Sequence, residues 1–461
     1  MKRTLSDFAQ AVGGTLHGRD GPFDQVTIDT RKLAAGDLFM ALPGERADGH
    51  DYVSDAAAAA AAGAVVTRLQ SLDFPQILVP DVAQALTSAA AAWRAQFTMP
   101  LIGVAGSNGK TTVKEMLAAI LGRAGACLAT AGNLNNHLGV PLTLLRLQKK
   151  HRSAVIEIGA NRAGEVASLA ALARPNIALI TNAGAEHLEG FGDVENVARA
   201  EGEIIASLAS NGVAVINADD RFAAMWRGMT RGRVVTFGLS ESANVRALDI
   251  SQSVDEGGFS QHFKVRSRSG TVDVALSLAG EHNVRNAAGA AAAAQAAGAL
   301  LSDVAKGLSG MRAVTGRLQF RRTTGGAWLL DDSYNANPSS VLAALEVLAA
   351  LPGRKWLVFG DMAELGAQSE ASHREMGVAA RERGIERLYA FGPLAALAAA
   401  TFNAGAAQGQ QAFCFTDGAA LAEELNGALT ADVRLLVKGS RVNRLERVVA
   451  ALGAVPTGKA V

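Results

Sequence analysis

An α/β fold with three domains is predicted from three features of the sequence. Short apolar runs alternate with helical stretches along most of the 461 residues. A glycine-rich turn joins one of the apolar runs to a helix. The alternation of apolar runs and helical stretches is interrupted at Pro100 and at 311–315. We therefore predict a small N-terminal α/β domain (1–98), a central domain with a P-loop ATPase-like parallel sheet (99–312), and a C-terminal domain with a Rossmann-like open sheet (313–461).

The first two domains show this alternation most clearly. Between residues 25 and 79, the runs VTID, DLFMAL, GAVV and QILV are separated by turn signals and one helical stretch. In the central domain LIGVAG, AVIEIG, IALITNAG and GVAVINAD alternate with helices, which favours parallel strands covered on both faces. The alanine runs 56–62 and 287–294 are interpreted as tightly packed helices, because alanine is the best helix former.

The C-terminal domain repeats the strand–helix pattern, in WLLDD, KWLVFGD, RLYAFG and RLLVKGS. The whole chain has 44 basic and 43 acidic residues, so its net charge gives no reason to expect nucleic-acid or membrane-surface binding. The two cysteines lie outside any CxxC spacing, which argues against disulfides and zinc. The amino end lacks a signal-peptide core, and no apolar run could span a bilayer. We expect a cytoplasmic protein.

The sharpest motif is the turn Gly103–Thr112, which follows the strand LIGVA and opens the helix VKEMLAAIL. Its glycines allow backbone N–H groups to surround a phosphate at a helix N-terminus. Lys110 is then expected to reach the terminal phosphates, and the Thr111 hydroxyl to hold Mg²⁺. The strict Walker spacing would place glycine at position 104, where valine stands. An incidental glycine turn is the alternative, and the sequence GKTT disfavours it.

Polar residues at the ends of two further strands predict a magnesium site. Glu157 ends the run AVIEIG, and Asn182 and His187 follow IALIT. A buried acid needs a partner, so Glu157 is a metal ligand or a member of a structural ion pair. His187 is a functional residue or an ordinary surface one. Arg317, in VTGRLQ, would neutralise phosphate charge on domain closure, or it simply packs two domains together.

Taken together, GVAGSNGKTT, AVIEIGAN, TNAGAEHLEGFG, GEHNVRNAAGAAAAA and VTGRLQ resemble the Mur ligases of peptidoglycan synthesis, in the family's order over nearly the whole chain. The segments DTRKLAAGDLFMALPGERADGHDYV, GNLNNHLGVPLTLL, DDSYNANPSS, FGDMAELG and VKGSR look closest to members that join D-alanyl-D-alanine to UDP-N-acetylmuramoyl-tripeptide. The resemblance implies an ATP-dependent ligase that forms an acyl phosphate and contributes to cell-wall biogenesis, cell shape and division. It also implies a monomer.

Three alternatives stay open from the sequence. One is the sister ligase that adds a diamino acid, although its Asp-Asn-Pro-Arg motif is absent here. Another is a folylpolyglutamate-type ligase, a class that lacks the first domain. The last is a non-catalytic nucleotide-binding switch, which the retention of Lys110, Glu157 and His187 disfavours.

The resemblance also implies roles for individual residues. Catalysis would involve Lys110, Glu157, His187 and Arg317. ATP would be held by Gly106, Ser107, Asn108, Gly109, Lys110, Thr111, Thr112, Asn283, Arg317 and Asp332. The uridine diphosphate part would contact Ile28, Thr30, Glu45, Arg46 and Ala47, and the sugar and peptide Asn135 and Asn136. The incoming dipeptide would contact Asn335, Asn337, Lys438 and Ser440.

Two Mg²⁺ sites are implied, with Thr111, Glu157, His187 and Glu201 as ligands. Many relatives carry a carbamylated lysine in an Ala-Lys-Gly-Glu-Ile segment, where this chain has Glu201. A carbamate is a carboxylate on a long stem, so we predict that Glu201 replaces it, through a bridging water if its shorter arm requires one. The alternative is that Glu201 is a solvent-facing helix residue.

Overall fold

The structure is a computed structural model that describes residues 4–44, 47–255 and 258–456. Three β-sheets follow one another along the chain, which confirms the predicted three-domain α/β class. Within the described ranges, no helix is both long and apolar enough to cross a membrane.

The N-terminal sheet has the strand order β1-β5-β4-β3-β2, parallel except for β1. One of its helices ends earlier than predicted: the alanine run 56–62 is helical only to Ala58, and Ala60 has a left-handed φ of 57°. The elements are α1 (Leu5–Val12), β1 (Thr15–His17), β2 (Val26–Thr27), β3 (Leu38–Met40), α2 (Val53–Ala58), β4 (Gly63–Val66), β5 (Gln76–Leu78) and α3 (Val82–Arg94).

Helix α3 joins this domain to the next through its last turn. The Trp93 indole N–H donates to Leu147 O at 3.0 Å. The buried Arg94 guanidinium donates to Ala173 O at 2.8 Å and to Arg174 O at 3.0 Å. Because these carbonyls belong to the central domain, the two domains share hydrogen bonds as well as one apolar core.

The central sheet has nine strands in the order β14-β13-β12-β11-β10-β9-β6-β8-β7. Strands β6 to β12 run parallel to their neighbours as predicted, whereas β13 and β14 are antiparallel. The strands are β6 (Leu101–Ala105), β7 (Cys127–Ala129), β8 (Ser153–Glu157), β9 (Ile177–Ile180), β10 (Val213–Asn217), β11 (Arg233–Gly238), β12 (Val245–Asp255), β13 (Gly258–Ser267) and β14 (Gly270–Leu276).

Helices cover both faces of the central sheet, because alternate side chains of each strand enter two separate cores. In β6, Leu101 and Ala105 join one core, and Ile102 and Val104 join the other. The predicted alanine helix at 287–294 is confirmed inside α10. The helices are α4 (Lys110–Leu121), α5 (Gly139–Leu145), α6 (Glu165–Ala173), α7 (Leu188–Phe191), α8 (Val194–Ala206), α9 (Ala223–Gly228), α10 (Glu281–Ala296) and α11 (Leu301–Ser309).

The C-terminal sheet has the order β19-β18-β17-β20-β16-β15-β21, with five parallel strands followed by two antiparallel ones. Its elements are β15 (Gln319–Arg322), β16 (Trp328–Asp332), α12 (Pro338–Ala349), β17 (Arg354–Gly360), α13 (Ser369–Glu382), β18 (Arg387–Phe391), α14 (Ala395–Ala404), β19 (Gln411–Phe415), α15 (Gly418–Ala428), β20 (Val433–Lys438), α16 (Glu446–Ala451) and β21 (Val455–Pro456).

Candidate active site

The glycine turn between β6 and α4 is shaped by two residues with positive φ, Gly106 (120°) and Gly109 (84°). A Cβ atom at Gly106 would lie 2.2 Å from Thr181 Oγ1, and one at Gly109 would lie 2.7 Å from Asn286 Oδ1. Both positions therefore require glycine. The turn leaves α4 with no side-chain cap, so its first N–H groups are free for an anion.

Asn182, at the end of β9, holds the turn in place. Its carbonyl accepts from Ser107 N at 2.9 Å, and its side-chain oxygen accepts from Asn108 N at 3.0 Å. Its amide donates to Asn108 O at 2.9 Å. The neighbouring strand thus fixes the loop in one conformation before any ligand arrives, which limits the entropy that binding must remove.

Lys110 begins α4 and is largely buried. Its ammonium donates to the carbonyls of Gly106 and of Ser107 (3.2 Å) and lies 3.5 Å from Glu186 Oε1. Desolvation lowers the pKa of Lys110, but nearby carboxylates, foremost Glu186 and then Glu201, outweigh it, so the pKa is raised. The lysine is therefore a fixed positive charge at the head of the loop.

Glu157 ends β8 as predicted and is buried. Its Oε1 accepts from Asn135 Nδ2 at 2.8 Å and from Thr111 Oγ1 at 3.2 Å. Its Oε2 is buried and has no hydrogen-bond partner. An orphaned carboxylate oxygen beside a threonine hydroxyl fits a hard cation, and Mg²⁺ commonly takes one or two carboxylates together with substrate phosphates.

A preformed metal cage is not part of this arrangement. The described segments hold no cluster of three or more His, Cys, Asp or Glu side chains able to bind an ion by themselves. The donors near Glu157 therefore match a metal that enters with the phosphates, which complete its oxygen shell.

His187 lies at the N-terminal end of α7 and has a left-handed φ of 48°. Its Nδ1 is 2.5 Å from Oε2 of Glu364, a residue of the C-terminal domain. Burial lowers the pKa of His187, although the Glu364 carboxylate opposes this shift. A neutral imidazole with one nitrogen engaged keeps a lone pair on the other nitrogen.

Glu201 lies on α8 and is 1% exposed, so it is not a solvent-facing helix residue. Its Oε2 accepts from Gly106 N at 2.6 Å, which places the carboxylate beneath the phosphate loop. Burial raises the pKa of Glu201, and Lys110 opposes this shift. The carboxylate thus supports the loop at Gly106, and it lines neither of the cavities described below.

Glu186 was not identified from the sequence, yet it is buried and faces the cavity beside His187. Burial is the main cause that raises the pKa of Glu186 to about 7, with Lys110 opposing the shift and Glu201 adding to it. Only its position directly before His187 could have drawn attention to it.

Glu186→Gln is expected to raise the melting temperature by about 2–4 °C at pH 8 and to leave it nearly unchanged at pH 5. With a folded pKa near 7 and an ordinary value of 4.5, the folded state binds the extra proton. Wild-type stability therefore falls as pH rises from 4.5 to 7, and glutamine removes that fall. Thermal unfolding of wild type and variant at both pH values measures the change in melting temperature, with Glu189→Gln at an exposed position as the control. An equal change at pH 5 and pH 8 would contradict the raised pKa of Glu186.

Two cavities meet at this loop. The larger, about 840 Å³, lies between the central and C-terminal domains, and the smaller is about 330 Å³. Among the predicted residues, the larger is lined by Ser107, Asn108, Gly109, Lys110, Thr111, Asn135, Asn136, Glu157, His187, Arg317, Asn335 and Asn337. The smaller is lined by Asn108, Gly109, Thr111, Thr112, Asn283, Arg317, Asp332 and Lys438.

Of the site residues predicted in the C-terminal domain, Arg317 is the one that lines both cavities. It lies just before β15, outside the sheet. Its guanidinium carbon lies 4.2 Å above the ring centre of Tyr334, a cation–π contact that holds the side chain between the two spaces. Lys438 pairs with Asp332 at 2.5 Å and donates to Asn335 O at 3.0 Å. Burial lowers the pKa of Lys438, although Asp332 opposes the shift.

The smaller cavity contains residues that sequence reasoning missed. Asn283 donates to Ala279 O at 2.7 Å and accepts from Asn286 at 3.2 Å, so α10 presents a buried amide pair. His282 precedes this pair, and burial lowers its pKa to about 4, which keeps the ring neutral. The segment GEHNVRN contains His282, Asn283 and Asn286, but only Asn283 was predicted as a site residue.

Two further contacts join the domains across the larger cavity. Asn337 caps α12 through Ser340 N and donates to Asn108 Oδ1 at 2.9 Å. Asn108 Nδ2 in turn donates to Ser339 Oγ at 3.1 Å. The predicted Ser440 lines neither cavity: its hydroxyl accepts from Ala363 N at 2.8 Å and so supports a neighbouring loop.

The described residues among those predicted in the N-terminal domain line neither cavity. Ile28 packs partly against the core, Thr30 begins a short 3₁₀ turn, and the Ala47 carbonyl accepts from Gly44 N at 3.1 Å. Glu45 and Arg46 lie outside the described residues. Apart from this domain, Gly106, Glu201 and Ser440 are the other predicted residues that line neither cavity.

Sequence comparison finds a match to a protein-family model within each of the three domains. The Mur ligase family, catalytic domain, matches 22–94, the Mur ligase middle domain matches 104–294, and the Mur ligase, glutamate ligase domain, matches 316–441. The UDP-N-acetylmuramoyl-tripeptide--D-alanyl-D-alanine ligase of Escherichia coli K12 is 43% identical over 451 residues, which cover 97% of this chain and 98% of that protein.

Solved structures agree with these matches. MurF from Acinetobacter baumannii superposes with a TM-score of 0.87 at 34% identity, over 97% of this chain and 98% of that chain. A MurF ligase from Thermotoga maritima in complex with ADP gives 0.79 at 28% identity, over 93% and 96%. The similarity therefore extends over all three domains of the chain.

Proposed function

Because this chain belongs to the Mur ligase family, we propose that it joins D-alanyl-D-alanine to UDP-N-acetylmuramoyl-tripeptide, with cleavage of ATP to ADP and phosphate. The observation that carries the proposal is the near full-length identity to a relative of that name. The larger cavity supports it, since a phosphate loop forms one wall and a second domain forms the other. The chain is thus an ATP-dependent carbon–nitrogen ligase of peptidoglycan synthesis.

The first chemical step transfers a phosphoryl group. A carboxylate oxygen of the tripeptide attacks the γ-phosphorus of ATP, the bond to the β-phosphate oxygen breaks, and ADP leaves. Two anions must approach each other, so positive charge is needed where they meet. Lys110 and Arg317 both line the larger cavity and supply that charge.

The second step forms the amide. The free amine of D-alanyl-D-alanine attacks the acyl carbon and loses a proton, and the tetrahedral intermediate expels phosphate. This route needs no covalent enzyme nucleophile. Asn335 and Asn337 border the larger cavity on the C-terminal side, and we assign the dipeptide to them together with Lys438 and Ser440. Asn135 and Asn136 would contact the sugar and peptide from the opposite side.

Nucleotide and uridine contacts complete the proposed substrate sites. The smaller cavity suits the adenosine part of ATP, with Asn283, Asp332, Asn108, Gly109, Thr111 and Thr112 on its walls. The rest of the loop Gly106–Thr112 is assigned to the phosphates. The uridine diphosphate part is assigned to Ile28, Thr30 and the loop Glu45–Ala47.

We also propose domain boundaries at 98/99 and 312/313, and that the protein is a monomer. Its proposed location is the cytoplasm, where ATP and UDP-linked precursors are available.

Two Mg²⁺ ions are proposed at Thr111, Glu157, His187 and Glu201. Bound there, they would neutralise phosphate charge as the acyl phosphate forms. The unpartnered Oε2 of Glu157 supports the first site. Glu201 would act on the second through water, because its carboxylate already accepts from Gly106 N.

Glu201→Gln is expected to raise the Mg²⁺ concentration for half-maximal rate by about 10-fold. The glutamine carbonyl can still accept from Gly106 N, so the loop stays supported and only the charge is lost. Glu201→Lys is the matched variant: bicarbonate should restore its activity by forming the carbamate that relatives use. A Glu201→Gln enzyme with unchanged rate and metal requirement would contradict the metal role.

The function itself is tested by product and isotope analysis. Purified protein with UDP-N-acetylmuramoyl-tripeptide and ATP should release ADP when D-alanyl-D-alanine is added, but not when a free diamino acid is added. Labelled oxygen in the tripeptide carboxylate should appear in the released phosphate. Released phosphate that carries none of this label would rule out the acyl phosphate. Release of ADP only with diamino acids would favour the sister ligase, and none with any amine would favour a nucleotide switch.

A further inference from the structure

The C-terminal domain contacts helix α7 through the loop that follows β17. Glu364 Oε2 lies 2.5 Å from His187 Nδ1, and Glu189 N donates to Glu364 O at 3.3 Å. Next to them, a Cβ atom at Gly366 would lie 3.4 Å from Glu189 Cα, so the two backbones pass closely. Both the side chain and the backbone of Glu364 therefore engage the segment that carries His187.

Backbone strain accompanies this contact on both sides. His187 has a φ of 48° and Glu364 a φ of 64°. A left-handed conformation is unfavourable for a residue with a Cβ atom, and it persists where surrounding contacts hold it. The two strained residues contact each other across the domain interface, and the Glu364 side chain is still more than half exposed. Packing alone does not explain such a pair.

The short contact between Nδ1 and the Glu364 carboxylate has a chemical consequence for the imidazole ring. A carboxylate beside Nδ1 favours the tautomer with its proton on Nδ1 and its lone pair on Nε2. Glu364 is the ion-pair partner of the ring, 2.5 Å from Nδ1. Histidines that bind metals typically use such a carboxylate to fix the tautomer and the ring orientation.

We propose that Glu364 is a positioning residue that holds His187 with Nε2 free for a Mg²⁺ ion, and that it does so only while the C-terminal domain is docked. The proposal rests on the ligase function above, in which that domain brings the amine. Docking also forms the contacts from Asn108 to Asn337 and Ser339. Docking of the C-terminal domain would thereby complete the metal site at the interface between the two domains.

The test compares Glu364→Ala, Glu364→Gln and the control Glu189→Gln, which removes a neighbouring exposed charge. Long-range proton–nitrogen NMR on ¹⁵N-histidine protein reports the tautomer of His187, assigned with His187→Gln. Electron paramagnetic resonance with Mn²⁺ and ADP reports metal affinity. Glu364→Ala should lose the pure Nδ1–H tautomer and bind Mn²⁺ about 10-fold more weakly, with metal-free ADP binding unchanged. Glu364→Gln should keep the tautomer through its carbonyl and lose less affinity.

Two results would overturn the proposal. One is a Glu364→Ala protein with the wild-type tautomer and Mn²⁺ affinity. The other applies if alanine unfolds the protein: Glu364→Gln must then bind Mn²⁺ more weakly than Glu189→Gln, and equal affinities would defeat the proposal. A failure of the proposed ligase function would be detected separately, because wild-type protein would then form no amide. The comparison of tautomer and Mn²⁺ affinity would still decide the role of Glu364.

Discussion

Lys110→Met is expected to lower kcat by about 10³-fold or more, equivalent to roughly 4 kcal/mol of transition-state stabilisation. Methionine keeps the length of the side chain and removes its charge. The lost ammonium is fixed between the loop carbonyls and Glu186 and borders the larger cavity, where phosphate charge would develop. Carboxylates around it raise its pKa, so it is charged at the pH of the reaction.

ADP release and amide formation are measured together, beside Lys306→Met on the exposed side of α11 as the control. The fold should survive, but stability should fall more at pH 8 than at pH 5, because Glu186 and Glu201 lose their buried counter-charge. A Lys110→Met enzyme within about twofold of the wild-type rate would remove the phosphate loop from the reaction.

The sequence predicted the features that are encoded locally. The turn Gly103–Thr112 was recognisable because strand, glycines, lysine and helix are neighbours in the chain. The parallel strands were recognisable because burial on both faces requires continuous apolar runs. Glu157 drew attention because an acid at the end of such a run is costly without a partner, and it proved to be buried beside Thr111.

Features that depend on distant partners were not predictable in the same way. Glu186 matters because folding brings it to Lys110, and Glu364 because a separate domain brings it to His187. Neither local pattern differs from that of an ordinary surface acid. The solvent-facing alternative for Glu201 could be dismissed only once α8 was seen to bury it under Gly106.

The antiparallel strands β13 and β14 are a different case, because their signal was present in the sequence. From Phe259 to Arg266, β13 alternates buried and more exposed positions, and the sequence SRSG at 267–270 joins it to β14. This is the pattern of consecutive hairpins with one solvated face. The expectation of βαβ units throughout the central domain obscured it. The first hairpin also meets the C-terminal domain, where Phe259 packs edge-on against Phe320 at 5.9 Å.

Glu157→Gln is expected to have opposite effects on activity and stability. Activity should fall by about 10³-fold, since a neutral amide cannot hold the cation that neutralises the phosphates. Stability of the metal-free protein should rise, because Oε2 of Glu157 is a buried carboxylate oxygen without a partner. Glutamine retains an oxygen for the hydrogen bonds from Asn135 and Thr111, so the local packing is kept.

The combination of lower activity and higher stability distinguishes a metal ligand from a structural ion-pair residue. Thermal unfolding without divalent ions, followed by Mg²⁺ titration of the rate and of ADP binding, measures both effects. ADP should bind the variant normally without Mg²⁺ and gain nothing when Mg²⁺ is added. For stability and ADP binding, Asn135→Ala serves as the control, since it removes a hydrogen bond to the same oxygen but leaves the charge. A Glu157→Gln protein that is destabilised yet still responds to Mg²⁺ would make Glu157 a structural residue, and the cation would have to be held elsewhere.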